Sequence, residues 1–202
     1  MTSSFPVFST AYFPPIDYLQ QALRHREIFI DQYENYQKQT LRNRCFILSP
    51  NGVQMLSVPV QHTGGKKAII KDIKIEYDQS WQQQHWRSLT TAYNRSAFFE
   101  FYSDELKSLF FKRELFLIDL NEKLFSWMIE KLKLSLIVKK TETFTGKESF
   151  QSLSDKRNAD VNRYRIKPYP QVFNYKFGFV PNLSAIDLLF NKGIDANEWL
   201  AA

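Results

Sequence analysis

Apolar and polar positions along the chain divide it into recognisable elements. "PVFSTAYF" (residues 6–13) predicts a short strand that runs into a Pro14-Pro15 turn. In "IDYLQQALR", Ile16, Leu19 and Leu23 share one helical face. "EIFID" (Glu27 to Asp31) reads as strand again, so the chain opens on a βαβ-like unit. Its turn carries proline where a phosphate-cradling loop has glycine. "RCFILS" and "VQMLSVPV" are strand runs separated by Pro50-Asn51-Gly52, a hairpin signal. "HTGGKK" then turns the chain into "AIIKDIKI", which completes an antiparallel meander near residues 43–76.

Helical signals follow. Ser80 and Gln83 have capping-box spacing ahead of "WQQQHWRSLTTAY". Asp119 and Glu122 have the same spacing, opening a helix whose Leu120, Leu124, Phe125, Met128, Ile129 and Leu132 form a broad apolar stripe. Such a stripe is core. "LSLIVKK" predicts a strand and "QVFNYKFGF" another. "PNLSAIDLLFNKG" is a final helix, with Asn182 as N-cap and Gly193 as its stop. Residues 141–170 are polar, charged and irregular, and read as a mobile loop or lid. The expected architecture is α/β: one domain over residues 1–202, a mixed β-sheet flanked by helices.

Composition narrows the function. With 202 residues, 44% of them hydrophobic, the chain can bury one full core. Its net charge of +6 leans towards anionic partners, yet 27 Lys and Arg are interspersed with 21 Asp and Glu. A single cysteine excludes an internal disulfide and fits a reducing compartment. The first residues lack the basic and apolar regions of a signal peptide. The apolar stretch at 115–138 is cut by charges, so no membrane span is expected. Three scattered histidines, His25, His62 and His85, give no local metal motif, and no Walker A, G-x-G-x-x-G or G-x-S-x-G signature occurs.

The residues that could carry chemistry are therefore few. Strand alternation separates Cys45 from Arg42 and Arg44, which makes the cysteine a buried small side chain rather than an activated thiol. The two arginines either form a fork for phosphate or carboxylate, or pair with residues such as Glu34. His85 shares a helical face with Trp81, Ser88 and Leu89; it is either a general acid or base or a packed ring. Ser184, Asp187 and Asn191 form a polar row on an apolar helix, which either lines a cleft or braces the helix.

Taken in order, "AYFPPIDY", "YQKQTLRNRCFI", "GVQMLSVPV", "HWRSLTTAYNRSAFFEFY" and "YPQVFNYKFGFVPNLSAIDLLFNKG" resemble the WbqC-like family from about Tyr12 to Gly193. Some members of that family are encoded with surface-polysaccharide (O-antigen) genes. The resemblance thus implies a cytoplasmic, transferase-like enzyme acting on a nucleotide sugar or another phosphate-bearing small molecule; no cofactor and no metal are expected. The positions that match its pattern are Tyr12, Pro14, Asn43, Arg44, His85, Tyr93, Gln171, Ser184, Asp187 and Asn191. Their chemistry suggests roles: Arg44 on a phosphate, Asn43 and Gln171 on sugar hydroxyls, His85 or Asp187 moving a proton, and Tyr12 and Pro14 at the end of the first strand. The rival reading is a binding protein for an anionic partner such as single-stranded RNA, using the aromatic and basic segments. Nucleic acid is the less expected partner.

Overall fold

In the computed structural model, which describes residues 6–62, 68–143 and 166–200, the chain opens with β1 (Val7–Phe8), α1 (Ile16–Ala22) and β2 (Glu27–Ile30). β1 and β2 pair in parallel, Val7 with Phe29 and Phe8 with Ile30, so the βαβ-like opening forms. The first strand is shorter than expected. After Phe8 the chain leaves the sheet, Tyr12 N–H donates to the Leu41 carbonyl, and Phe13 takes a left-handed φ of 44°.

Pro15, at the N-cap of α1, has no side-chain donor or acceptor to offer. The helix start is closed from far away: Ile16 N–H donates to the Leu183 carbonyl, and Asp17 N–H to Asn182 Oδ1 at 2.9 Å. Asn182 therefore caps the first helix, not the last one as its position in the sequence predicts.

β3 (Arg44–Ser49) and β4 (Gly52–Ser57) form the expected hairpin, in register from Arg44↔Ser57 to Ser49↔Gly52. Gly52 closes it with φ 101°. The third run, "AIIKDIKI", is not a full strand. It makes single antiparallel bridges (Asn35↔Ile69, Val60↔Ile75, Lys74↔Phe116) around a 3-10 turn at Ile70–Asp72. Ile70 and Ile73 are both buried, and their three-residue spacing suits that turn better than a pleat. The preceding "HTGGKK" turn lies mostly outside the described residues.

α2 (Trp81–Tyr93) has the expected limits, although Ser80 makes no side-chain cap bond. α3 (Phe99–Phe110) is an additional helix that the sequence reading did not separate. α4 (Leu117–Lys131) begins two residues before Asp119 and has Phe116 at its N-cap. Asp119 and Glu122 thus lie inside the helix and form no capping box. The apolar stripe of α4 is core as predicted, with Leu120, Leu124, Phe125, Met128 and Leu132 buried.

β5 (Ile137–Lys140) pairs in parallel with β2, Glu27 opposite Ile137 through Ile30 opposite Lys140. The parallel sheet therefore runs β1-β2-β5, while β3-β4 is a separate antiparallel pair. This is the predicted α/β class, with its two strand pairings divided between two sheets. Most of the expected loop at 141–170 lies outside the described residues.

"QVFNYKFGF" is not a strand but carries a helical turn, α5 (Asn174–Phe177). Gln171 explains it: its side chain bonds both the N–H and the carbonyl of Val180, folding the segment back on itself. α6 (Ala185–Lys192) starts after Ser184 and stops at Gly193, as predicted for the stop. Gly193 has φ 60°, and a Cβ there would stand 2.8 Å from the Phe98 ring. α7 (Asn197–Leu200) follows. One large hydrophobic cluster joins residues of the parallel sheet, the hairpin and most of the helices.

Candidate functional site

Leaving the sheet after β1 carries Tyr12 against α2, where its hydroxyl meets His85 Nδ1 at 2.9 Å. The His85 ring lies edge-on to Trp81 at 5.2 Å and stacks against Phe110. Burial lowers its pKa to about 4, opposed by a hydrogen bond to the Ser57 backbone. The ring is therefore neutral at pH 7. With its proton given to Ser57, Nδ1 accepts from Tyr12. Arg44 pairs with the same Ser57 across the hairpin, so Arg44, His85 and Tyr12 are joined by one short chain of contacts.

A second network centres on Asp187, in the first turn of α6. Its carboxylate accepts from Tyr93 (3.0 Å), Tyr169 (2.6 Å) and Gln171 (3.1 Å). Burial raises the Asp187 pKa to about 6, and the three donors pull the other way. Both phenols are pushed upward, mainly by burial and then by the adjacent carboxylate. The polar row on α6 resolves residue by residue. Asp187 faces this network, Asn191 braces the helix by donating to the Asp187 carbonyl at 2.7 Å, and the buried Ser184 hydroxyl meets no partner.

The two arginines part company. Arg42 lies in the turn before β3, not on a strand, and is 2% exposed. It pairs with Glu34 in the interior and also donates to Thr40 Oγ1 (3.1 Å) and Ser9 Oγ (2.7 Å). Ion pairing is thus the answer for Arg42, although in the core and not on the surface. Cys45 is buried and burial pushes its thiol up, so the inert reading holds. The thiol lies within electrostatic range of both Tyr12 and Tyr93, between the two networks.

Among the described residues, six buried side-chain polar atoms have no hydrogen-bond partner, and three of them are Asn43 Oδ1, Arg44 Nε and Ser184 Oγ. These three belong to positions named from the sequence. Asn43 uses its amide nitrogen on the Val58 carbonyl, and Ser184 N–H donates to Phe46, one pleat repeat along β3 from Arg44. The three atoms therefore belong to residues at, or backbone-bonded to, the first half of β3. Each costs about 1–3 kcal/mol when left unpaired.

Pro14 joins neither side-chain network, although its carbonyl accepts from Ala185 N–H at the start of α6. It lines a small cleft of about 60 Å³ at the carboxyl ends of β1, β2 and β5, walled by α4. Of the sequence-named residues, Tyr12 and His85 meet, Tyr93, Gln171 and Asp187 meet, and Asn43, Arg44 and Ser184 flank β3. Tyr169 and Asn121 were not named. Tyr169 had a signal, standing two residues before Gln171 in "YPQ"; Asn121 had none. Among the described residues no three His, Cys, Asp or Glu side chains gather as a metal site.

The molecule is thus an α/β protein with a crevice outside the carboxyl edge of a parallel sheet and two phenol networks buried in its interior. The chain belongs to the WbqC-like protein family, whose model matches residues 10–163 and 144–198, as the ordered motifs predict. It is also 27% identical to Uncharacterized protein Rv1507c of Mycobacterium tuberculosis (strain ATCC 25618 / H37Rv) over 208 residues, 85% of this chain and 88% of that one. No solved structure matches it. No helix among the described residues is long and apolar enough to cross a membrane.

Proposed function

We propose that this protein is a cytoplasmic, transferase-like enzyme of bacterial surface-polysaccharide precursor biosynthesis that acts on a nucleotide sugar or a related phosphate-bearing substrate. The observation that carries the reading is the set of unsatisfied polar atoms on Asn43, Arg44 and Ser184 around one strand. A guanidinium supplies donors to a phosphate, and an amide oxygen and a hydroxyl suit sugar hydroxyls. In this reading Asp187, with a pKa of about 6, takes up or releases a proton through the Tyr93 or Tyr169 hydroxyl. His85 acts as a positioning residue: neutral and buried, it holds Tyr12 in place.

Thermal unfolding in the presence of nucleotide sugars, acyl-CoA esters, ATP and a short RNA tests this. A ligand at about 100 times its Kd adds about 2.7 kcal/mol, which at roughly 2–4 °C per kcal/mol raises the midpoint by several degrees. The expected result is a shift with one nucleotide-sugar class that Arg44→Ala abolishes. A salt-sensitive shift with RNA and silence from every small molecule would replace the enzyme by the nucleic-acid binding reading.

A further inference from the structure

A second cavity, of about 310 Å³, lies between the start of α2 and the residues that follow α3. Ligand pockets begin at about that volume, roughly 300 Å³. Gln82 joins the two helices there: it is 8% exposed, and its Nε2 donates to the Phe110 carbonyl at 2.7 Å. One of the carbonyls that α3 leaves open at its end is thereby closed. The same contact fixes which end of the amide is nitrogen. The other end, Oε1, makes no hydrogen bond, yet it is not one of the six enclosed unpaired atoms. It therefore reaches the cavity that Gln82 lines, where an amide oxygen can only accept.

Donors stand around that acceptor. Ser80 is the N-cap of α2, but its hydroxyl makes no cap bond. Trp81 N–H turns back to the Gln79 carbonyl and Gln84 N–H to the Ser80 carbonyl, which leaves the N–H groups of Gln82 and Gln83 open. Arg113, exposed on the same cavity, lies 5.1 Å from the Tyr77 ring and makes no ion pair. Asp78 adds a second unbonded acceptor, since only its backbone N–H is engaged, with Glu76. Phe111, 37% exposed, sets apolar ring surface against this polar lining. A plain anion would suit the helix end and Arg113, but it would leave Gln82 Oε1 unpaired and face Asp78. A plain cation would face Arg113. Hydroxyl groups both donate and accept, and a sugar carries them around C–H faces that pack on an aromatic ring.

We propose that this cavity binds a monosaccharide or disaccharide. One hydroxyl gives its proton to Gln82 Oε1, others accept from Arg113 and the open N–H groups of α2, and Phe111 packs against a ring face. The site shares no residue with Asn43, Arg44 and Ser184. It goes beyond the proposed reaction, because binding here needs neither a nucleotide nor a chemical step.

The test is ligand-observed NMR on the full chain with glucose, galactose, mannose, rhamnose and N-acetylglucosamine, with inorganic phosphate, acetate and glycine alongside. At least one sugar should bind, and about tenfold or more tightly than phosphate, acetate or glycine. Among the monodeoxy analogues of the best sugar, at least one should bind about tenfold more weakly, the loss of one hydrogen bond. Gln82→Leu also strips the Phe110 carbonyl of its donor, so two exposed positions carry the test instead. Arg113→Ala should weaken the best sugar about tenfold. Gln83→Trp, which fills the cavity, should abolish its binding, and both variants should keep the melting midpoint of the unmodified protein. Silence from every sugar, tighter binding of phosphate, acetate or glycine, or equal binding of all the deoxy analogues would overturn the proposal. So would a sugar that either variant still binds in full. That last result would leave the reading of Arg44 standing, because the shift that Arg44→Ala abolishes is read with nucleotide sugars on a different set of residues.

Discussion

Arg42 and Arg44 stand two residues apart, and the structure uses them in opposite ways. Arg42 is enclosed, with Glu34, Thr40 and Ser9 taking its donors and Asn121 bonding its carbonyl. Arg44 begins the next strand half-buried, with Nε unbonded, and Asn43 before it has an equally unbonded Oδ1. A saturated buried charge is architecture: it ties the turn at 40–43 to the segment after β1 and to α4. An unsaturated one stores an interaction that folding has not used. The difference separates what holds this molecule together from what is left over for a ligand, in a stretch where the sequence shows only "RNR".

The largest expected effect breaks the saturated side. Glu34→Ala leaves Arg42 as an uncompensated buried charge and should cost about 3–5 kcal/mol of stability in urea unfolding. Arg44→Ala, measured the same way, should cost about 1 kcal/mol or less. Equal losses for the two variants would show that Arg44 is architecture as well, and would remove the main support for the proposed substrate site.

A second effect, of about 3 kcal/mol for each group, concerns pH. Asp187 has its pKa raised from 3.8 to about 6, so the native state holds that proton more tightly than the unfolded chain. Its contribution is complete below the unfolded value and is lost as pH rises through about 6. His85 is lowered from 6.5 to about 4, so its contribution is complete above 6.5 and is lost as pH falls towards 4. Over the shared window the two slopes oppose each other, each worth about two pKa units at 1.36 kcal/mol per unit. Stability of the unmodified protein should therefore change little there. Asp187→Asn should make it rise with pH, and His85→Gln should make it fall. Parallel slopes in the two variants would mean that the carboxyl or the ring is not enclosed as described.

Much of the fold was legible because it is local. The hairpin at Pro50-Asn51-Gly52, the limits of α2, β5 and the stop at Gly193 each depend on residues a few positions apart. α3 escaped because Phe101, 80% exposed, blurs an otherwise regular face of Phe99, Tyr102, Leu106 and Phe110. Asn182 was misassigned because its partner, Asp17, is 165 residues away. The sequence offers Glu34 as a partner for Arg42 but not the burial of the pair, since burial depends on the packing of α4 and the β1 exit. The site followed the same rule. Spacing placed Ser184, Asp187 and Asn191 in one row, yet only the ordered motifs joined Tyr93 and Gln171 to them. Tyr169 and Asn121 needed coordinates.

The smallest expected effect sharpens the comparison most. Ser184 occupies the N-cap of α6, where a serine hydroxyl that bonds a helix N–H is worth about 1 kcal/mol over alanine. Here the side chain makes no cap bond, and its Oγ is buried without a partner. Ser184→Ala therefore removes an unsatisfied polar atom and no interaction, so the free protein should lose no more than about 0.5 kcal/mol. In the presence of the ligand that shifts the unmodified protein, the same variant should lose part of that shift. A loss of 1 kcal/mol or more without ligand would make the hydroxyl a structural cap and place Ser184 with Arg42. A loss confined to the liganded protein would place it with Arg44.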